Sequence, residues 1–154
     1  MARRTKQAQP IIRTVDAVLT DFERVLFIRR AKPPFMDKLV LPGGHVEPSD
    51  KNLVEACRRE VREEVGLDLA AERFDFLCTL STPGRDPRPG RRVSTVYLIE
   101  LEPSEFDLAQ AGTDAAQIVI VEGVLRREAV GFDHFDAILK IDFNWEQAIR
   151  EDWM

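Results

Sequence analysis

The chain is short of the residues that would staple it, anchor it or make it a general polyanion binder. Its two cysteines, Cys57 and Cys78, sit in apolar surroundings with no CxxC pair and no histidine at ligand spacing, so they read as reduced core residues and not as a disulfide or metal pair. No apolar run reaches the roughly 18 residues of a membrane-spanning helix. The opening MARRTKQAQP is basic and polar, without the apolar stretch of a secretory signal. Residues 1–10 are therefore expected to form a flexible arm, and the cytoplasm is the default location. Acidic residues outnumber basic ones, 27 to 22, for a net charge of −5, which argues against sequence-independent binding to nucleic acid or an anionic membrane. A polyphosphate ligand would have to be received by a local basic patch and a metal ion. Internal repeats and low-complexity tracts are also missing.

What is present is 154 residues with 44% hydrophobic and 32% charged content, enough for one soluble globular core. A single domain over residues 11–154 is expected. Ile11 to Leu19 and Arg24 to Ile28 are aliphatic, β-branched runs separated by Thr20-Asp21-Phe22-Glu23, which reads as a hairpin. Lys38 to Leu41 is a short strand, and Phe74 to Leu80, Val93 to Leu101 and Ile118 to Val121 are further strands. Phe132 to Ile141 predicts a helix starting near Asp133, and residues 143–154 a closing acidic helix or tail with Trp145 and Trp153. Strands interrupted by one long helix and closed by a helical end imply α+β layering.

The stretch Leu41 to Leu67, LPGGHVEPSDKNLVEACRREVREEVGL, organises the rest. Asn52 with Glu55 three residues on is a capping-box pattern that starts a helix, and Gly66 supplies a left-handed stop. Val54, Cys57, Val61 and Val65 form one stripe at helical spacing and predict the buried face. Glu60, Glu63 and Glu64, at i, i+3 and i+4, lie beside that stripe. Carboxylates so close repel one another. Alternating Arg and Glu can be no more than a solvated, ion-paired face, for example Arg59 with Glu63. A divalent cation would equally remove the conflict, and an oxygen-only set with open positions suits Mg²⁺ or Mn²⁺ better than zinc. Gly43 and Gly44, read as a Pro-Gly-Gly turn, have no side chain to keep a phosphate or metal from the backbone, and the Gly43 carbonyl could be a further ligand.

These residues resemble the signature of the Nudix hydrolases, in which a glycine, five residues and a glutamate lead through seven more to Arg-Glu, an aliphatic residue, any residue, Glu-Glu, any residue, Gly and an aliphatic residue. Arg59 to Leu67 match the second half at every position. The first half departs: Asp50 stands where the family has glutamate, and eight residues separate it from Arg59, which leaves its role open. The resemblance runs from about Ile11 to Ile141 and implies the Nudix fold, a mixed sheet sandwiched between helices. It implies that Glu60, Glu63 and Glu64 hold Mg²⁺, with Mn²⁺ a substitute. Glu63 and Glu64 would be the surest ligands, Glu60 ligand or base, and Arg59 the group that orients a glutamate. It also places a variable catalytic or metal-binding acid in the loop before the last main strand, where Asp114 is the best occupant with Glu122 behind it. An ordinary turn aspartate explains Asp114 equally well.

Candidate substrate contacts come from two basic clusters. Arg29, Arg30 and Lys32 follow the second strand and are either a solvated strand end or a phosphate grip. The connector STPGRDPRPGRR, residues 81–92, is a loop whose arginines, Arg85 and Arg88 among them, either solvate it or close over an anionic substrate. The Arg85-Asp86-Pro87-Arg88 run and the later Phe-Asp-His segment are similar to a group of ADP-ribose pyrophosphatase-like Nudix proteins. In that segment His134 reads as structural ahead of acid-base catalyst. The expected reaction is Mg²⁺-dependent hydrolysis of a phosphoanhydride in a nucleoside diphosphate linked to another moiety, ADP-ribose first, giving AMP and ribose 5-phosphate. A nucleoside triphosphate pyrophosphohydrolase of the housecleaning type is the alternative, which the Lys38-Leu39 approach to Pro42 would also suit. A non-catalytic nucleotide-binding regulator is disfavoured by the intact glutamate set and the lack of room for a second domain. The expected partner is a small-molecule nucleotide, with neither nucleic acid nor membrane, and a homodimer is compatible with the resemblance.

Overall fold

The structure, a computed structural model, describes residues 10–112 and 117–141. The first two aliphatic runs become β1 (Ile11–Thr20) and β2 (Arg24–Arg29), turned by Asp21, whose carboxylate accepts the Glu23 and Arg24 amides at 3.0 and 2.6 Å. The hairpin is brief, pairing Leu19 with Leu26 and Thr20 with Val25. Beyond it β1 runs parallel to β6 (Arg91–Glu100) from Ile11 against Arg91 to Thr20 against Glu100. Along Thr14–Asp16, β1 also pairs antiparallel with β4 (Gly43–His45), while β2 pairs with β3 (Leu39–Val40) and, along its whole length, with β7 (Gln117–Glu122). β5 (Asp75–Leu80) borders β6 with a bulge between Phe76 and Cys78. Among the described residues these strands form one mixed seven-stranded sheet.

Strand alternation decides which residues face which layer. Val15, Ala17 and Leu19 of β1, with Leu26 and Ile28 of β2, pack on Ala56, Cys57, Val61 and Val65 of α1 (Leu53–Val65). The residues between them, Val18, Val25 and Phe27, face the other way onto Phe135, Ala137 and Ile138 of α3 (His134–Ile138). The sheet is thus covered on both faces, as the α+β expectation required. Cys57 and Cys78 are both free and lie in these two opposite layers, so no disulfide joins them. Among the described residues no helix is long and apolar enough to cross a membrane.

The expected stripe of α1 is buried, apart from Val54, which is partly exposed. The Asn52 side chain accepts the Glu55 amide at 2.9 Å, and Gly66, at φ 74°, ends the helix by donating its amide to the Arg62 carbonyl. The reciprocal half of the capping box does not form, because the Glu55 carboxylate instead takes Arg58 at 3.0 and 3.1 Å. Gly43 and Gly44 are not a turn: they lie in β4, and the bend falls at Pro42. A short helix, α2 (Pro103–Leu108), has proline at its start and a closed Glu102/Glu105 capping box. Asp114 and residues 143–154 lie outside the described residues.

Candidate active site

Glu60, Glu63 and Glu64 of α1 line a cavity of 590 Å³ together with Gly43, Gly44 and His45 of β4, Thr14 and Asp16 of β1, the end of β2, the loop before β6 and the start of α3. The two glycines are required by space and not by backbone conformation. A Cβ on Gly44 would stand 2.6–2.8 Å from the Glu60 carboxylate, and one on Gly43 would stand 2.1 Å from the Val15 carbonyl oxygen and 2.3 Å from an Asp16 carboxylate oxygen. The missing side chains therefore let α1 and β1 close onto the same strand.

Arg59 is the hub behind the glutamates. Its Nε and Nη2 donate to the two Asp50 oxygens at 2.9 and 3.0 Å, Nη2 donates to the His45 carbonyl at 2.9 Å, and Nη1 donates to Glu60 at 2.9 Å and Glu63 at 3.2 Å. Asp50, open in the sequence, also accepts the Glu47 amide at 2.7 Å, and the Arg59 hydrogen bonds hold its carboxyl below the usual range. It braces Arg59 from outside the cavity wall.

Glu60 and Glu64 are the confined pair. Burial raises the Glu60 carboxyl, against the lowering effect of Arg59. Burial first, and then the Glu60 charge, push Glu64 up to about 8, although the Gly43 amide donates to it at 3.3 Å. Two hydrogen-bonded carboxyls in this state keep a proton between them unless a cation lets both ionise. A hard divalent cation fits that donor set, since it accepts a few carboxylates and fills its other positions with water and phosphate oxygen. Among the described residues no group of three or more His, Cys, Asp or Glu stands ready to hold a metal alone. Glu63 is the outlying member: its side chain is 55% exposed and leans on Arg59. Asp114 lies outside the described residues, although the loop leading to it is pinned to α1 by the Gly112 amide donating to the Glu64 carbonyl at 3.1 Å.

A second buried network lies beside the glutamates and was not foreseen. Ser94 Oγ donates to Asp16, His134 Nε2 stands 3.4 Å from the same carboxylate, and the Leu41 amide donates to His134 Nδ1 at 3.0 Å. Nδ1 is therefore an acceptor, so the ring proton is on Nε2, facing Asp16. His134 is structural in this sense: it ties the strand entering Pro42 to β1. The available signal was Asp16 itself, an acid set between Val15 and Ala17 in a largely aliphatic strand.

Of the candidate arginines, Arg29, Arg30, Arg85 and Arg88 all border the cavity, as does Lys32. Arg85 is closed onto Asp133 by three hydrogen bonds of 2.7–3.0 Å, which fastens the 81–92 loop to the start of α3. Arg29 donates to Gln117 at 3.3 Å and to the Asp37 carbonyl at 3.0 Å. Phe132, also missed from sequence, borders the cavity between these groups.

Glu60 and Glu64 with Glu63 beside them, a guanidinium hydrogen-bonded to two of the three and a rim of arginines thus bring acidic and basic groups to one cavity. The chain belongs to the NUDIX domain family, whose model matches residues 10–137. It is 25% identical over 130 residues, 81% of its length, to an ADPR-responsive transcriptional repressor, NtrR, of Acinetobacter baylyi, and spans half the length of that curated relative. Among solved structures it resembles a bifunctional NMN adenylyltransferase/ADP ribose pyrophosphatase from Francisella tularensis in complex with AMP and a manganese ion. That likeness has a TM-score of 0.71 and 28% identity, covering 85% of this chain and 41% of that one. It also resembles the NUDIX domain of Shewanella oneidensis NrtR in complex with ADP ribose, with a TM-score of 0.70 and 26% identity over 88% of this chain and 87% of that one.

Proposed function

We propose that this protein hydrolyses the phosphoanhydride of a nucleoside diphosphate linked to another group, with ADP-ribose as the first substrate and AMP and ribose 5-phosphate as products, using Mg²⁺ or Mn²⁺. The observation that carries this reading is the Glu60–Glu64 pair, confined against Gly43 and Gly44, where burial raises both carboxyls. Likeness to an ADP ribose pyrophosphatase domain and to an ADP ribose-bound domain supports the choice of substrate.

A divalent cation bound there screens the phosphate charge and acidifies water. Glu60 and Glu64 would hold it, with the Gly43 carbonyl and phosphate oxygens completing the set. Arg59 keeps Glu60 and Glu63 in place through charge-assisted hydrogen bonds. Glu63, more exposed and hydrogen-bonded by Arg59 at 3.2 Å, takes the proton from the attacking water. Arginines at the rim offset the charge of the bound diphosphate. Asp114 is carried as a further acid of the site on the resemblance alone.

A second reading is favoured by one finding: the curated relative is a repressor that responds to ADPR. The same cavity would then bind the nucleotide without cleaving it. Incubation of the purified protein and Mg²⁺ with ADP-ribose, other nucleotide sugars and nucleoside triphosphates, with products identified by mass, separates the readings. AMP with ribose 5-phosphate supports hydrolysis of ADP-ribose, and pyrophosphate from a triphosphate replaces the substrate. Tight ADP-ribose binding with no product supports the regulator.

A further inference from the structure

The rim and the floor of the cavity offer opposite chemistry. Around the rim, Arg29, Arg30, Lys32 and Arg88 carry donors and positive charge. Beneath them, Thr14 and Asp16 of β1 also border the cavity, are at most 9% exposed and carry acceptors. Thr14 donates its hydroxyl to the Val93 carbonyl at 3.5 Å. Asp16 accepts on a single oxygen: the Ser94 hydroxyl donates to Oδ2, and His134 Nε2 stands 3.4 Å from the same atom. The other oxygen, Oδ1, has no hydrogen-bond partner among the described residues.

A buried carboxylate oxygen without a partner has given up water for nothing in return, and this one is held in that position. His134 Nδ1 accepts the Leu41 amide at 3.0 Å, so the ring proton is on Nε2 and points only at Asp16. Ser94, fully buried, donates to the same oxygen. The carboxylate is thus pinned by Oδ2 and presents Oδ1. Gly43 leaves that oxygen uncovered, since a Cβ there would stand 2.3 Å from it. The Gly43 amide in turn donates to Glu64 at 3.3 Å, and the Asp16 charge adds to the rise of the Glu64 carboxyl. One residue of β4 therefore separates the Glu60–Glu64 pair from a fixed anionic acceptor. A phosphate oxygen beside Oδ1 would set like charges against each other in an enclosed site, whereas a hydroxyl would supply the missing proton donor.

We propose that Asp16 is a specificity-determining residue, whose free Oδ1 accepts a hydrogen bond from a hydroxyl of the group linked to the diphosphate and repels a further phosphate in that place. The cavity then selects nucleotide sugars over nucleoside triphosphates. This subsite rests on the reading above that the ligand carries a diphosphate held at Glu60 and Glu64. Size places the non-nucleoside end here: Thr14, Ser94 and His134 close the floor, and the bulkier nucleoside is left the open side bordered by Arg29, Arg30 and Phe132. Ser94 and His134 act through Asp16 and are positioning residues. Their grip also defines the variant that tests the idea. In Asp16→Asn both donors require an oxygen at the place of Oδ2, so the amide nitrogen takes the place of Oδ1, and an anionic acceptor becomes a neutral donor of the same shape.

Calorimetric titration of the full chain in EDTA with ADP-ribose, ADP-glucose, ADP and ATP reads binding without turnover. The wild type binds the nucleotide sugars more tightly than ATP. Asp16→Asn lowers the preference for ADP-ribose over ATP roughly 10- to 100-fold, weakening the first, tightening the second and moving ADP least. Ser94→Ala removes one of the two contacts that pin Oδ2 and lowers the same preference by a smaller factor. Should Asp16→Asn not fold, Ser94→Ala decides alone. A merely structural Asp16 would shift all the ligands together, and that result overturns the subsite, as does a wild type that binds ATP as tightly as the sugars. An Asp16-dependent preference for ADP-glucose without ADP-ribose binding keeps the subsite and removes ADP-ribose as the substrate. Hydrolysis of ADP-ribose with Mg²⁺ by a protein whose preference ignores Asp16 overturns the subsite and leaves the proposed function standing. No binding of any of these ligands overturns the subsite, and the hydrolysis assay then judges the proposed function separately.

Discussion

Alanine at Gly43 and at Gly44, adjacent positions in one strand, separates folding from chemistry. A Cβ on Gly44 meets the end of a flexible side chain: Glu60 Oε1 at 2.6 Å must withdraw to an ordinary contact of 3.4 Å, a displacement of about 0.8 Å. Because Cδ at 2.7 Å and Oε2 at 2.8 Å are as close, the whole carboxylate must swing away about the inner side-chain bonds, which a flexible side chain does at modest strain, and the lost backbone freedom of the unfolded chain stabilises by about 0.4–1 kcal/mol. The melting temperature of Gly44→Ala should therefore stay within about 3 °C of wild type. Displacement of a catalytic group by nearly 1 Å costs about 100-fold in rate. On Gly43 the added carbon meets backbone, the Val15 carbonyl oxygen at 2.1 Å and the Asp16 Cα at 2.8 Å. Relief there means prying β4 from β1, at about 1–3 kcal/mol or more, so Gly43→Ala should lower the melting temperature by roughly 3–10 °C. Thermal denaturation and Mg²⁺-dependent ADP-ribose hydrolysis on the same samples measure both. Full activity in Gly44→Ala would refute the placement of Glu60 at the chemistry, and wild-type melting of Gly43→Ala would refute the strand packing.

Other expectations follow from the same contacts. Arg59→Lys cannot span Asp50, Glu60, Glu63 and the His45 carbonyl at once, so activity or metal affinity should fall about 10- to 100-fold while the secondary structure by circular dichroism is kept; unchanged kinetics would remove Arg59 from the site. The Glu64 carboxyl stands at about 8 against an ordinary 4.5, so between these values the folded, metal-free protein holds a proton that the unfolded chain has lost. Its contribution to stability is therefore present below the lower value and declines as pH rises through the window. Mg²⁺ binding at pH 7 should release close to one proton, read by calorimetry in buffers of different ionisation enthalpy, and buffer-independent heats would contradict the raised pKa. Glu64→Gln should abolish hydrolysis yet melt higher than wild type at pH 8 without metal; a lower melting point there would count against repulsion within the pair. His134→Leu strands the Leu41 amide and removes a donor to Asp16, a loss of about 2–4 kcal/mol. The melting temperature should drop by roughly 5–15 °C, and an unchanged value would show that the network contributes nothing.

Legibility followed the range of the physics. The α1 stripe, the Asn52 cap and the Gly66 stop were readable because they depend on neighbours within one or two turns. β1 and β2 were readable for the same reason. The Pro-Gly-Gly segment misled, because paired glycines at a turn and paired glycines under a close approach look alike until the partner is known; here the partners are Val15 and Glu60, distant in sequence. The glutamates and Arg59 were found through a motif whose members lie on one helix. Asp16, Ser94 and His134 come from three separate elements, and only the register of β1 with β6 and the docking of α3 bring them together.

The order of burial around the cavity also accounts for why a long acidic helix is tolerated in the fold. Glu60, Glu63 and Glu64 would repel along α1, and Arg59 donates to two of them, Glu60 and Glu63, while Glu64 takes the Gly43 amide and no guanidinium hydrogen bond. The carboxyl that Arg59 does not reach is thus the one beside the Gly43 amide. A chain selected for stability alone would place glutamine or an apolar residue there, since an unpaired buried acid destabilises. The defect is confined to one side chain and can be neutralised by a proton or a cation. It also faces β4, the strand that the absent glycine side chains bring within reach of α1. Such a local departure from the most stable sequence is what a binding site for a hard cation requires, and it is why the Glu64→Gln comparison, gain of stability with loss of hydrolysis, bears most directly on what the cavity does.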